Sequence, residues 1–155
     1  MAQLGTLAAL AARAGLLLMV AGFAPTPEGT GHRTTNPHAE TDTYVTDMKA
    51  AGQYKSGAQG FVDVTLSPKG GYHINPEYPY KFKAADPPAD GVTYPKPVLA
   101  RADGAFDAAK GSFRVPFVPA HAGTLTVGGT LHLSVCSDAN CVLDKVPLEV
   151  QVDVK

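Results

Sequence analysis

From Phe61 onward, apolar and polar residues alternate in short runs with the period of two that belongs to half-buried strands. Phe61-Val-Asp-Val-Thr-Leu66 places Val62, Val64 and Leu66 on one face and Asp63 and Thr65 on the other. Phe113, Val115 and Phe117 alternate with Arg114, Pro116 and Val118. Pro116 has no N–H to give to a ladder, which predicts an edge or a bulge at that strand. Leu125 and Val127 open the next run, and Leu131, Leu133 and Val135 form an inward row. The same period predicts Thr130, His132, Ser134 and Cys136 on the opposite face. Val146, Leu148, Val150, Val152 and Val154 alternate with Glu149, Gln151 and Asp153 in the cleanest amphipathic strand of the chain. Between these runs, Ser67-Pro-Lys-Gly-Gly71 reads as a turn. Pro76 and Pro79 make a crossing or kinked edge of the stretch joining Tyr72-His-Ile-Asn75 to Tyr80-Lys-Phe-Lys83. Gly128-Gly129 fits either a hairpin turn or a bulge in one long strand.

About seven short strands with frequent turn signals predict an all-β fold, an immunoglobulin-like β-sandwich, with a small barrel as the alternative. Sixteen glycines and thirteen prolines, with almost no helical period after residue 50, point the same way. Ahead of the strands, residues 4–24 are apolar except for Arg13, which leaves an apolar stretch from Ala14 of the length of a signal h-region. The expected organisation is a signal peptide or N-terminal anchor over 1–24, a flexible leader over 25–44, and one domain over 45–155. The leader is rich in Pro, Thr, Gly, His and Asn and has no apolar period, so its histidines, His32 and His38, read as solvated linker residues.

Charge narrows the partners. Thirteen Lys and Arg against fourteen Asp and Glu give a net charge of -1, and the basic residues do not cluster along the sequence. No nucleic-acid partner is expected. Membrane contact is expected only through an uncleaved N-terminal segment. No cofactor motif is present.

The candidate chemistry lies in the two cysteines, Cys136 and Cys141, which bracket Ser-Asp-Ala-Asn at the end of an alternating run. An even number of cysteines in an exported chain favours a disulfide. Three readings are open at this level. A structural staple would close a ring of about six residues and contribute roughly 2 kcal/mol. An exchange-active bond would need exposure to an attacking thiolate and a neighbour that tunes thiol pKa. Asp138 and Asp144 would disfavour a thiolate, whereas a protonated His132 on the face of Cys136 would favour one. A metal site would recruit His132 and His73 beside the two sulfurs, although nothing in the spacing demands it.

Taken in order, Gly71-Tyr72-His73 after a strand, Phe113 to Gly123, Thr124-Leu-Thr-Val127, the close cysteine pair and Val146-Pro-Leu148 resemble the DsbD N-terminal domain family. The resemblance covers about residues 45 to 155. It implies a periplasmic immunoglobulin-like module whose catalytic pair, Cys136 and Cys141, relays electrons between thioredoxin-like proteins and other thiol-disulfide partners. It also implies that Tyr72 and neighbouring aromatics shield the bond, with Asp103, Phe106 and Asp107 as a loose counterpart of the family's cap loop. The chain departs from the pattern by having four residues between the cysteines rather than five, and Val142-Leu143-Asp144 where a proline is expected.

Overall fold

The computed structural model describes residues 36–155. The expected signal or anchor segment, His32 and the first part of the leader lie outside these residues. The strands in chain order are β1 (His38–Glu40), β2 (Tyr44–Ala50), β3 (Gly60–Pro68), β4 (His73–Ile74), β5 (Lys81–Ala84) and β6 (Val92–Thr93). They continue with β7 (Val98–Ala100), β8 (Gly104–Phe106), β9 (Gly111–Pro119), β10 (Gly123–Cys136) and β11 (Cys141–Val154). A single 3-10 turn, Arg101–Asp103, links β7 to β8. The first sheet runs β1-β2-β3-β9-β6, with β8 also on β9, and the second runs β11-β10-β5-β7, with β4 also on β10. All pairings between named strands are antiparallel, so the chain is an all-β sandwich of two sheets.

The core lies where the alternating rows meet. Val62, Val64 and Leu66 of β3 and Phe113, Val115 and Phe117 of β9 face Phe82 of β5, Leu131, Leu133 and Val135 of β10, and Leu148 of β11, all fully or almost fully buried. Burial of each such side chain stabilises the fold by about 1.5–3 kcal/mol, which is why the period of two is legible in the sequence. Gly128-Gly129 is neither turn nor bulge. β10 pairs with β11 from Gly123↔Val154 to Cys136↔Cys141 without a slip, making one 14-residue strand against another. Gly129 occupies an inward position of β10, and a Cβ there would stand 2.3 Å from the Lys83 carbonyl oxygen and 2.6 Å from the Phe82 ring. The missing side chain thus makes room for Phe82 where β5 crosses β10.

Two expectations need correction. Pro116 does not mark an edge: β9 is central, with β3 on one flank. Its other flank is shared between β8, paired at residues 111–113, and β6, paired at 118–119. Positions 114–117 are left unpaired on that flank, where a missing N–H costs no ladder bond. The folded part also begins earlier than residue 45. β1 lies inside the expected leader, paired to β2, and Asn36 accepts a backbone hydrogen bond from Glu149. None of its three residues is fully buried. Backbone bonds hold it, together with His38–Asp47 and Lys69–Glu40 contacts, so it leaves no hydrophobic signal.

Gly129→Ala is expected to lower unfolding free energy by about 1–3 kcal/mol in denaturant titration, because the added methyl overpacks the crossing. Gly52→Ala, with nothing within 4 Å of the new carbon, serves as the control and should stay within about 0.5 kcal/mol of the parent. Equal stability of the two variants would contradict this account of the crossing.

Candidate functional site

Cys136 and Cys141 are directly opposite each other on the last rung of the β10–β11 ladder and are joined by a disulfide, with Sγ–Sγ 2.01 Å and Cα–Cα 4.0 Å. Ser137 N–H donates to the Asn140 carbonyl at 2.8 Å. That makes 137/140 a hydrogen-bonded pair and 136/141 the adjacent non-hydrogen-bonded pair, the kind in which facing side chains approach most closely. The turn is organised by Ser137, whose Oγ accepts from the Ala139 and Asn140 N–H groups and contacts Asn140 Oδ1 at 3.1 Å. Tyr72 reaches across from the β3–β4 connection and donates its hydroxyl to Asn140 Oδ1 at 3.0 Å. Register, the serine turn and the tyrosine clamp therefore fix this tip before the disulfide is counted.

The two sulfur-bearing residues differ in access. Cys136 is buried, 8 % exposed, with β4 alongside it through His73, while Cys141 is exposed on the open edge of the second sheet. Both lie on the outer face of that sheet, since the inward places of the hairpin belong to Leu131, Leu133 and Val135. Asp144 points the other way and accepts the Tyr44 hydroxyl. Burial, and then that carboxylate, push the Tyr44 pKa up. The Asp144 charge is thus held on the face opposite Cys141.

Outward alternation correctly groups His132, Ser134 and Cys136, but Ser134 is fully buried because Asn75 Nδ2 donates to its Oγ from the loop between β4 and β5. Tyr80 closes the same loop by donating its hydroxyl to the Ser134 carbonyl. His132 is four residues from Cys136 along an extended strand, about 13 Å. Its cross-strand partners are Lys81 and Lys145. Desolvation, followed by the charges of Lys81, Lys145 and Lys83, lowers its pKa. This placement does not supply the protonated neighbour that a tuned thiol needs. The two-sulfur, two-nitrogen set is not assembled either: both sulfurs are in the disulfide, and among the described residues no group of three or more His, Cys, Asp or Glu is arranged to hold a metal ion.

Phe106 stacks on Tyr80 with centroids 4.6 Å apart and meets Phe113 edge-on at 5.1 Å, with the Arg101 guanidinium 5.5 Å from its ring centroid. Asp103 accepts from Ala100 N–H and pairs with Lys96, and Asp107 accepts from Ala109 and Lys110 N–H. Ile74 N–H of β4 donates to the Ala108 carbonyl at 2.9 Å, and a pocket of about 280 Å³ is lined by residues including His73, Ile74, Arg101 and Phe106.

Sequence reasoning missed three contributors to this surface. The Ser-x-x-Asn spacing at 137–140 was a readable turn signal. Leu143 was another: with Val142 beside it in a strand, one of the two must face outward. The lysine neighbours of His132 come from other strands and left no local trace. Comparison with known protein families and with curated proteins finds no match for this chain.

Followed by NMR, the His132 ring should titrate below the 6.5 of an unperturbed histidine, and Lys81→Gln with Lys145→Gln should raise its midpoint. With the folded-state pKa depressed, the unfolded chain binds the proton more readily, so this group's contribution to stability falls as pH drops below about 6.5. A midpoint at or above that value would contradict the placement.

Proposed function

We propose that this domain is a thiol–disulfide relay of the extracytoplasmic space, working as the resemblance to the DsbD N-terminal domain family implies. The observation that carries the reading is the asymmetry of the pair: Cys141 is exposed on an open strand edge and Cys136 is buried. Exchange proceeds by a thiolate attacking a disulfide sulfur in line with the bond. An incoming thiolate from a thioredoxin-like protein reaches Sγ of Cys141. The new bond forms there, the Cys136–Cys141 bond breaks, and its electron pair leaves on Cys136, which takes up a proton. The donor's second thiolate then attacks its own sulfur in the mixed disulfide and releases Cys141. The donor leaves oxidised, and the domain holds two thiols, two electrons richer. Reaction of Cys141 with an oxidised acceptor, followed by attack of Cys136, returns the domain to the disulfide.

The competing reading is a passive envelope module with a structural bond. What favours the relay is that the bond adds little to a tip already held by the ladder, the Ser137 turn and the Tyr72–Asn140 clamp, since closing a ring of about six residues contributes roughly 2 kcal/mol.

A redox titration separates the two: a relay should have a potential between about -120 and -270 mV, and an inert staple one below about -300 mV. Single-cysteine variants test the roles. Cys136→Ser should trap a thioredoxin-like partner as a mixed disulfide through Cys141, whereas Cys141→Ser should trap at least about tenfold more slowly, because its remaining thiol is covered. Equal trapping would contradict the assignment of Cys141 as the residue attacked.

A further inference from the structure

The two outer faces of the sandwich treat their cations differently. On the first sheet, Lys49, Asp63 and Arg114 are neighbours across β2, β3 and β9, so signs alternate along the row. Arg114 lies 3.6 Å from Asp63, and Lys49 lies 3.9 Å from Asp47. On the second sheet the equivalent row is Lys81, His132 and Lys145 across β5, β10 and β11, with Lys83 two residues along β5. Among the described residues, none of these three lysines has a carboxylate within ion-pair distance. Such a row of like charge is destabilising where strands pair, and the fold gains nothing visible from it.

The same face carries the exposed apolar side chains. Among the described residues the large hydrophobics with open exposure are Leu143 and Val98, 66 % and 44 % exposed. Leu143 is two residues from Cys141 on β11. Val98 pairs with Lys83 from β7. Val98 lies beside Lys83 and Leu143 beside Lys145, and the exposed Cys141 lies along β11 from the row, about 13 Å from Lys145 by strand rise. Single exposed apolar residues are ordinary on a protein surface, so what marks this face is the uncompensated charge of the row, with apolar contact available beside it.

We propose that this outer face, from Val98 across Lys81 and His132 to Leu143, is where the exchange partner docks, and that the partner carries carboxylates around its thiol. The inference rests on the relay reading above and adds the partner's chemistry. Opposite charge raises the local concentration of the correct partner and its encounter rate, and salt removes the advantage. The apolar ends supply contact that salt does not weaken.

The test uses synthetic peptides with one cysteine flanked by glutamates, by lysines or by glutamines. The rate of reduction of Cys136–Cys141 is measured for each and divided by the rate of the same peptide with 2-hydroxyethyl disulfide, which removes differences in thiolate reactivity. At low ionic strength the glutamate peptide should be about three- to tenfold faster than the lysine peptide, and the difference should vanish at high salt. Lys81→Glu with Lys145→Glu should reverse the order, and the milder Lys145→Gln, which keeps the strand's packing, should reduce it. Equal normalised rates for all three peptides would overturn the proposal while leaving the relay intact. Failure of every peptide, with dithiothreitol also inert, would count against the relay itself. Salt-sensitive binding to phosphatidylglycerol vesicles together with indifferent peptide rates would also overturn the proposal and assign the face to an anionic lipid surface.

Discussion

The pairing of β10 with β11 is the constraint on which the rest depends. Fourteen consecutive residue pairs without a bulge fix which residues face inward over the whole length of both strands, because a slip by one position would turn every core residue out to solvent. That register sends Leu131, Leu133 and Leu148 into the core and sets the two cysteines face to face at the far end. It also puts His132 between Lys81 and Lys145. Core, disulfide and basic row are three readings of one ladder.

Placing the cysteines by the ladder has a chemical consequence. If the disulfide were the principal tie at the tip, each cycle of reduction would release the turn and the partner would meet a disordered segment. Here backbone pairing, the Ser137 turn and the Tyr72 hydroxyl hold the tip independently, so bond breaking and chain order are largely uncoupled. The burial of Cys136 adds direction. In the proposed relay, the cover that β4 gives Cys136 would make it the leaving group and later the internal attacker, and would leave Cys141 on the open edge to meet other proteins.

What could be read in the sequence follows from which forces leave a local trace. The inward rows of β3, β9, β10 and the second half of β11 were legible because burial imposes the period of two on them. The start of β11 was not, because Asp144 holds an inward position and Tyr44, a hundred residues away, satisfies its carboxylate. β1 reads as leader in the sequence because mainly backbone bonds hold it. The period of two places Ser134 on the correct face but does not show its burial, since the Asn75 side chain that bonds it comes from the start of the loop between β4 and β5. At the site, the cysteine pair is legible in the chain, whereas Tyr72 enters only through the resemblance, as a shield for the bond, and its hydrogen bond to Asn140 leaves no sequence signal. The difference in exposure between the two cysteines is not legible there, and neither is the lysine row. Charges that cluster only through register between β5, β10 and β11 look dispersed along the sequence.

Hydrogen exchange of the reduced domain compared with the oxidised one tests most directly whether the ladder, rather than the covalent bond, holds the hairpin tip. The account predicts that the amides of Leu133, Val135 and Val142, which point into the β10–β11 ladder, keep protection within about tenfold after reduction. Loss of protection spreading from the tip down to Val146 would contradict it, and would make the disulfide rather than the register the tie that holds the tip.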